Sequence, residues 1–226
     1  MKKGPNVKTK FLENWEYLLE IKNIMNCPSR EQIEYTLKSK GYRWFDSGEY
    51  NVNIVGIRNS STGDNVTNQF DDCMTISYME NGLWNYNCFN CTTDPGRYYM
   101  EDPLSSAGCA ILKPGQYKGA YQIGLHKNEY EALVQTKPVL VYRDNNRDDE
   151  YNLNESSVQS GMFGINIHRA TSTPGNTSTQ VDNWSAGCQV IASYDAFQIF
   201  MAICNASRYV WGNSFTYTLI DSDDLL

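Results

Sequence analysis

Gly164-Ile165-Asn166-Ile167-His168, then a Ser/Thr/Pro/Gly-rich loop, then Asn183-Trp184-Ser185-Ala186-Gly187-Cys188-Gln189 form the stretch from which both fold and chemistry are read. Alternation places Ile165 and Ile167 on one face of an extended segment and Gly164, Asn166 and His168 on the other. A strand over Met162 to His168 is therefore expected, holding an imidazole at its end, with a second strand over Gln189 to Ala192 beyond the cysteine. A cysteine that follows a glycine sits where a tight turn can aim backbone N–H groups at a developing oxyanion. A thiol with an ordinary pKa of about 8.5 becomes an effective nucleophile when an adjacent imidazole stabilises the thiolate. Cys188 and His168 are the candidate nucleophile and base, Gly187 and Cys188 supply the candidate oxyanion amides, and Asn166 or Ser185 is the candidate orienter of the imidazole.

Working outward, the pattern is that of a mostly β (α+β) protein with a few helices. Phe11, Trp15, Leu18, Leu19 and Ile21 to Ile24 recur at helical spacing, and a second helix is expected from Ser29, where Ser29 and Gln32 have capping-box spacing, to a stop at Gly41. Residues 1–45 thus read as a small N-terminal helical appendage, and 46–226 as the main domain. Val52, Ile54 and Ile57 predict a strand, and Met74 to Met79 with Leu83 to Phe89 predict a hairpin around Asn81-Gly82, a dipeptide suited to positive φ angles. Ala110 to Leu112, Tyr117 to His126 and Pro138 to Tyr142 read as further strands. Phe197, Phe200, Met201 and Cys204 mark a helix, and Phe215 to Ile220 a closing strand.

The chain has 226 residues and a formal charge of −7, with no basic stripe to neutralise a phosphate backbone, so nucleic acid is a poor partner. No apolar run is long enough to span a bilayer, and the N-terminus lacks the uninterrupted apolar core of a signal peptide. The expectation is a protein made and kept in the cytoplasm, or released by a route other than a cleaved signal. The seven cysteines form an odd set that does not need a disulfide framework, and most of them read as buried small hydrophobes.

Other motifs have competing readings. Cys88-x-x-Cys91 lacks the two further ligands a structural zinc site needs, so no metal is assigned. Asp144 to Glu155 mimics a calcium loop by count but has Asp149 where the central glycine belongs, which favours a solvated hairpin loop. Asp71-Asp72 either holds a cation or caps a turn. His126 ends an alternating strand and either lines the cleft as a second imidazole or sits at the surface. Trp184 either stacks on a substrate or packs its loop.

Sixteen residues separate His168 from Ser185, and this His-spacer-Ser-x-Gly-Cys pattern resembles the signature of the L,D-transpeptidase catalytic-domain family. The surrounding Gly115-Gln116-Tyr117, Ile123-Gly124-Leu125-His126, Ala132-Leu133-Val134-Gln135, Tyr142-Arg143-Asp144 and Trp184 to Gln189 are similar to bacteriophage-encoded proteins of that superfamily. The resemblance implies a β-sandwich or barrel and an acyl-enzyme on Cys188, assisted by His168, Ser185 and Gly187. His126, Asn166, Trp184 and Gln189 are then expected at the substrate, a peptidoglycan stem peptide, and no cofactor is implied. The chain departs from the family at Ala186, where a histidine is usual, and at Gln189-Val190, where an arginine is usual. A missing acceptor site favours hydrolysis over cross-linking. The competing expectation is a virion-associated structural or wall-binding protein whose catalysis has decayed, and the partners implied are virion or lysis proteins.

Overall fold

The computed structural model describes residues 27–225, so the helix expected over residues 11–24 lies outside the described residues. The first described helix, α1 (Arg30–Ser39), starts where the sequence predicts. Ser29 accepts from the Gln32 amide while the Gln32 side chain accepts from the Ser29 amide, and Gly41 follows with φ +73°.

Eight strands close a barrel in the order β1-β11-β5-β6-β9-β10-β3-β2. They are β1 (Asn53–Arg58), β2 (Asp72–Glu80), β3 (Leu83–Thr92), β5 (Gly115–His126), β6 (Tyr130–Gln135), β9 (Ile167–Arg169), β10 (Gln189–Ile191) and β11 (Phe215–Asp221). Most neighbours are antiparallel, but β1 runs parallel to β11 and β9 parallel to β10. The β2–β3 hairpin turns at Asn81 (φ +53°) and Gly82 (φ +73°), with Glu80 opposite Leu83. Two successive positive φ angles match the right-handed twist of the flanking strands, which is why Asn-Gly serves there.

The alternation expected for β1 gives way to burial on both faces. Ile54 points into the barrel core with Met74, Tyr121 and Phe200, whereas Val55 and Ile57 point outward beneath Ile33, Leu37 and Trp44. The described part of the N-terminal segment thus packs against the outside of the barrel.

A second sheet, β4 (Cys109–Leu112), β7 (Val139–Asp144) and β8 (Gln159–Gly161), lies against the barrel. Ala110, Leu112, Val139 and Val141 face the barrel core, while Cys109, Ile111 and Tyr142 face a separate cluster with Met100 and Tyr151. A five-residue helix, α2 (Arg97–Glu101), precedes this sheet. The long helix α3 (Tyr194–Trp211) buries Phe197, Phe200, Met201 and Cys204, the positions its spacing singles out.

The strand expected over Met162 to His168 is broken. Gly164 has φ +72°, and only Ile167 to Arg169 pair in the barrel. The amides of Phe163 and Ile165 donate instead to the Gln135 side chain, at 3.1 and 3.0 Å, so a glutamine substitutes for a neighbouring strand. Four cysteines, Cys73, Cys91, Cys109 and Cys204, are buried as expected, but Cys27 and Cys88 depart from that reading and form a disulfide. Cys91 lies three residues after Cys88 on one strand and so faces the opposite way, into the core, which removes any shared site for that pair.

Asp72 caps turns. Its carboxylate accepts from the amides of Asn59 and Thr93 at 2.7 and 2.6 Å and from the Thr93 hydroxyl at 2.8 Å. In the 144–155 loop Asp144 accepts from the Asn152 amide and Glu155 pairs with Lys113, so these carboxylates serve the loop's own structure. Among the described residues no helix is long and apolar enough to cross a membrane.

Candidate active site

The ends of β5, β9 and β10 meet the small sheet across a cleft of about 470 Å³. His126 ends β5, His168 lies on β9, and Cys188 immediately precedes β10, so three barrel strands deliver the candidate groups to one place. Parallel pairing sets Gln189 beside Ile167 and Val190 beside His168, which brings Cys188 next to Asn166. All four side chains line the cleft.

The two imidazoles are stacked, with ring centroids 4.1 Å apart. His168 Nδ1 is 2.8 Å from the Arg169 carbonyl oxygen. A carbonyl only accepts, so Nδ1 carries the proton and Nε2 is left as the basic nitrogen. The Tyr130 hydroxyl lies 3.4 Å from both His168 Nδ1 and the Arg169 carbonyl, bracing that arrangement. Burial, and then the neighbouring His126, push the His168 pKa down to about 3, so this imidazole is neutral throughout the physiological range. Burial likewise lowers His126.

Cys188 is partly exposed to the cleft. Its Sγ donates to the Gly164 carbonyl at 3.3 Å and accepts from the Asn166 amide at 3.4 Å, and neither imidazole is among its hydrogen-bond partners. Desolvation raises the thiol pKa, against the opposing pull of the Asn166 amide and the Lys127 charge. The resting site therefore favours a neutral thiol and neutral imidazoles over a thiolate–imidazolium pair, so a nucleophilic role for Cys188 would need proton transfer to accompany attack.

The turn before the cysteine is built by Ser185 and Gly187. Fully buried Ser185 donates to the Cys188 carbonyl at 2.8 Å and accepts from the Gly187 amide at 3.1 Å. Its hydroxyl thus braces the turn and makes no contact with an imidazole. Gly187 has φ +123°, and a Cβ there would come within 2.0 Å of the Ala110 carbonyl oxygen, so only glycine fits. The Gly187 amide is thus taken by Ser185, which leaves the Cys188 amide as the remaining candidate of the two expected oxyanion donors.

Asn166 orients an imidazole, but that of His126: its Nδ2 lies 3.1 Å from His126 Nδ1, while its Oδ1 accepts from the Gln135 amide at 2.9 Å. Trp184 lines the cleft and is half-exposed.

Gln189 departs from its expected place at the substrate. It is fully buried in the barrel, with Nε2 donating to the carbonyls of Thr93 and Gly187 and Oε1 accepting from the Tyr217 hydroxyl at 2.7 Å. As the first residue of β10 it points opposite to Cys188, as period-two geometry requires.

Lys127, Arg143, Phe163, Met162 and Leu104 also line the cleft, a place the sequence did not mark for them. Lys127 directly follows His126, and Met162 and Phe163 directly precede Gly164, whereas Leu104 and Arg143 come from remote segments. Among the described residues two cations, Lys127 and Arg143, line the cleft and no carboxylate does.

No protein-family model matches the chain, and neither curated proteins nor solved structures give a match.

Proposed function

We propose that the protein is a cysteine peptidase of L,D-transpeptidase type, of bacteriophage origin, that hydrolyses peptidoglycan stem peptides. The observation carrying this reading is the convergence of Cys188, His168 and His126 on one cleft from three strands of a closed barrel. The lining supports an anionic peptide as substrate, because Lys127 and Arg143 offer positive charge with no competing carboxylate.

In the proposed reaction Sγ of Cys188 attacks a substrate carbonyl carbon while its proton passes to Nε2 of His168. The developing oxyanion accepts from the Cys188 amide. Collapse breaks the C–N bond, the imidazolium returns the proton to the leaving amine, and water then hydrolyses the thioester with His168 again as base. Desolvation of His168 disfavours its charged form, so the imidazolium exists only transiently and returns its proton readily. Ala186 and the inward-facing Gln189 leave the cleft without the family's usual histidine and arginine, which favours water over an amine as acceptor.

A second reading, a virion-associated or wall-binding protein on the same fold, draws on the neutral, raised thiol whose Sγ is bonded within the 164–166 loop. Incubation with purified peptidoglycan of several stem-peptide chemistries, read by mass spectrometry, separates the two. Soluble fragments with new peptide termini, absent for Cys188→Ala, are expected for the hydrolase. Co-sedimentation without products would leave the binding protein, and equal products from Cys188→Ala would sink the nucleophile assignment.

A further inference from the structure

Three sulfur atoms meet on the outer face of the barrel, remote from the cleft in the fold. The Sγ atoms of Cys27, Cys73 and Cys88 all lie within 4.8 Å of one another. Cys27 stands two residues before the Ser29 cap of α1, Cys73 is on β2 and Cys88 on β3. Cys88 pairs with Thr75 and Cys73 with Asn90, so the two cysteines are diagonal neighbours on one face of the hairpin. Cys27 Sγ is 4.0 Å from Cys73 Sγ and is joined to Cys88 by the disulfide.

Zinc–thiolate bonds of about 2.3 Å separate the sulfurs of a trigonal or tetrahedral site by about 3.8–4.0 Å. Cys27 and Cys73 already stand at that spacing, and opening the disulfide frees Cys88 to take it by side-chain rotation. The site has a dry floor and an open mouth, since Cys73 is fully buried whereas Cys27 is exposed. Beneath it lie Ile33, Leu37, Val55 and Ile57.

We propose that in the reduced protein Cys27, Cys73 and Cys88 bind a thiophilic d¹⁰ cation, zinc foremost, with water or a small thiol as fourth ligand. A thiol reductant of the glutathione class opens the disulfide, two RSH becoming RSSR as two cysteine thiols form. The divalent ion then displaces three protons and takes three thiolates. The bond that ties Cys27 to β3 is thus a disulfide under oxidising conditions and a metal bridge under reducing ones. The proposal is independent of the peptidase reading.

The test is titration of the full, reduced chain with Co²⁺, followed by its thiolate charge-transfer band, and with Zn²⁺ against a chromophoric chelator. It is run in parallel on Cys188→Ala to remove the cleft thiol as a competitor. One equivalent is expected to bind, with affinity falling on the order of a hundredfold in Cys73→Ser and in Cys27→Ser. Cys27→Ser alters an exposed position and keeps the test valid should Cys73→Ser fail to fold. The oxidised chain should bind no ion at this site. A reduced chain without the band, affinity unchanged in Cys27→Ser, or equal binding by the oxidised chain would each overturn the proposal.

Discussion

The imidazole rings of His126 and His168 stack with planes inclined by 21° and centroids 4.1 Å apart, two bases sharing one buried position. Burial first, and His126 second, lower the His168 pKa to about 3 from an ordinary value of about 6.5. Between those values the unfolded chain binds a proton that the folded chain excludes. The stabilisation is therefore fully present above pH ~6.5 and is lost as pH falls toward ~3, with a slope of up to about 1.4 kcal/mol per pH unit for one proton. Urea unfolding at pH 7 and pH 4.5 should show this loss, and His168→Gln should flatten it. A slope unchanged by that substitution would assign the acid sensitivity to other groups.

The thiol of Cys188 is raised by burial, and Lys127 is one of the two groups pulling it back. Alkylation of Cys188 by iodoacetamide should therefore accelerate as pH rises through the alkaline range, without a plateau near neutrality. Lys127→Ala should slow it at pH 8, because the loss of that charge lets the thiol pKa rise further. Peptide mapping of the labelled site gives the rate for this cysteine alone, and a plateau below pH 7 would indicate a preformed thiolate.

Gly187→Ala should be severe, because its φ of +123° and the Ala110 carbonyl 2.0 Å from the new Cβ oppose it together. Backbone strain of this kind costs about 1–3 kcal/mol before any clash is counted. Thermal unfolding should shift down markedly, with alkylation of Cys188 altered at temperatures where the chain is still folded. An unchanged melting temperature would show that the turn can relax.

Gln189 and Trp184 should separate by readout. Gln189→Leu leaves the Tyr217 hydroxyl and the Thr93 carbonyl without their partner in the barrel, a penalty of about 1–3 kcal/mol per buried group. Its effect belongs in stability. Trp184→Ala removes a half-exposed cleft wall and should raise KM for peptide release with little change in melting temperature. The opposite pattern would exchange the two roles.

What was legible in the sequence was what local chemistry dictates. The Ser29–Gln32 box, the Asn81-Gly82 turn and the apolar spacing of α3 each specify structure within a few residues. That Cys188 and both imidazoles line one cleft rests on strand pairings far apart in sequence; the resemblance supplied the expectation for His168, while alternation left His126 open between cleft and surface. Periodicity misread the segment before His168 because Gln135, nearly thirty residues upstream, takes the amides a strand partner would have held. Gln189 was misplaced because proximity to Cys188 in sequence says nothing about the opposite side of a pleat. The Cys27–Cys88 disulfide spans a separation of 61 residues and leaves no local signal at all.

The final strand occupies an interior position, with β11 lying between β1 and β5. As the chain leaves the ribosome, every group of the cleft therefore emerges before the barrel that must hold them can close. Until residues 215–221 arrive, β1 and β5 present open edges that invite pairing with other chains. Closure of the frame around the cleft thus waits on residues 215–221, and a chain terminated before them would carry Cys188, His126 and His168 without the closed barrel that positions them.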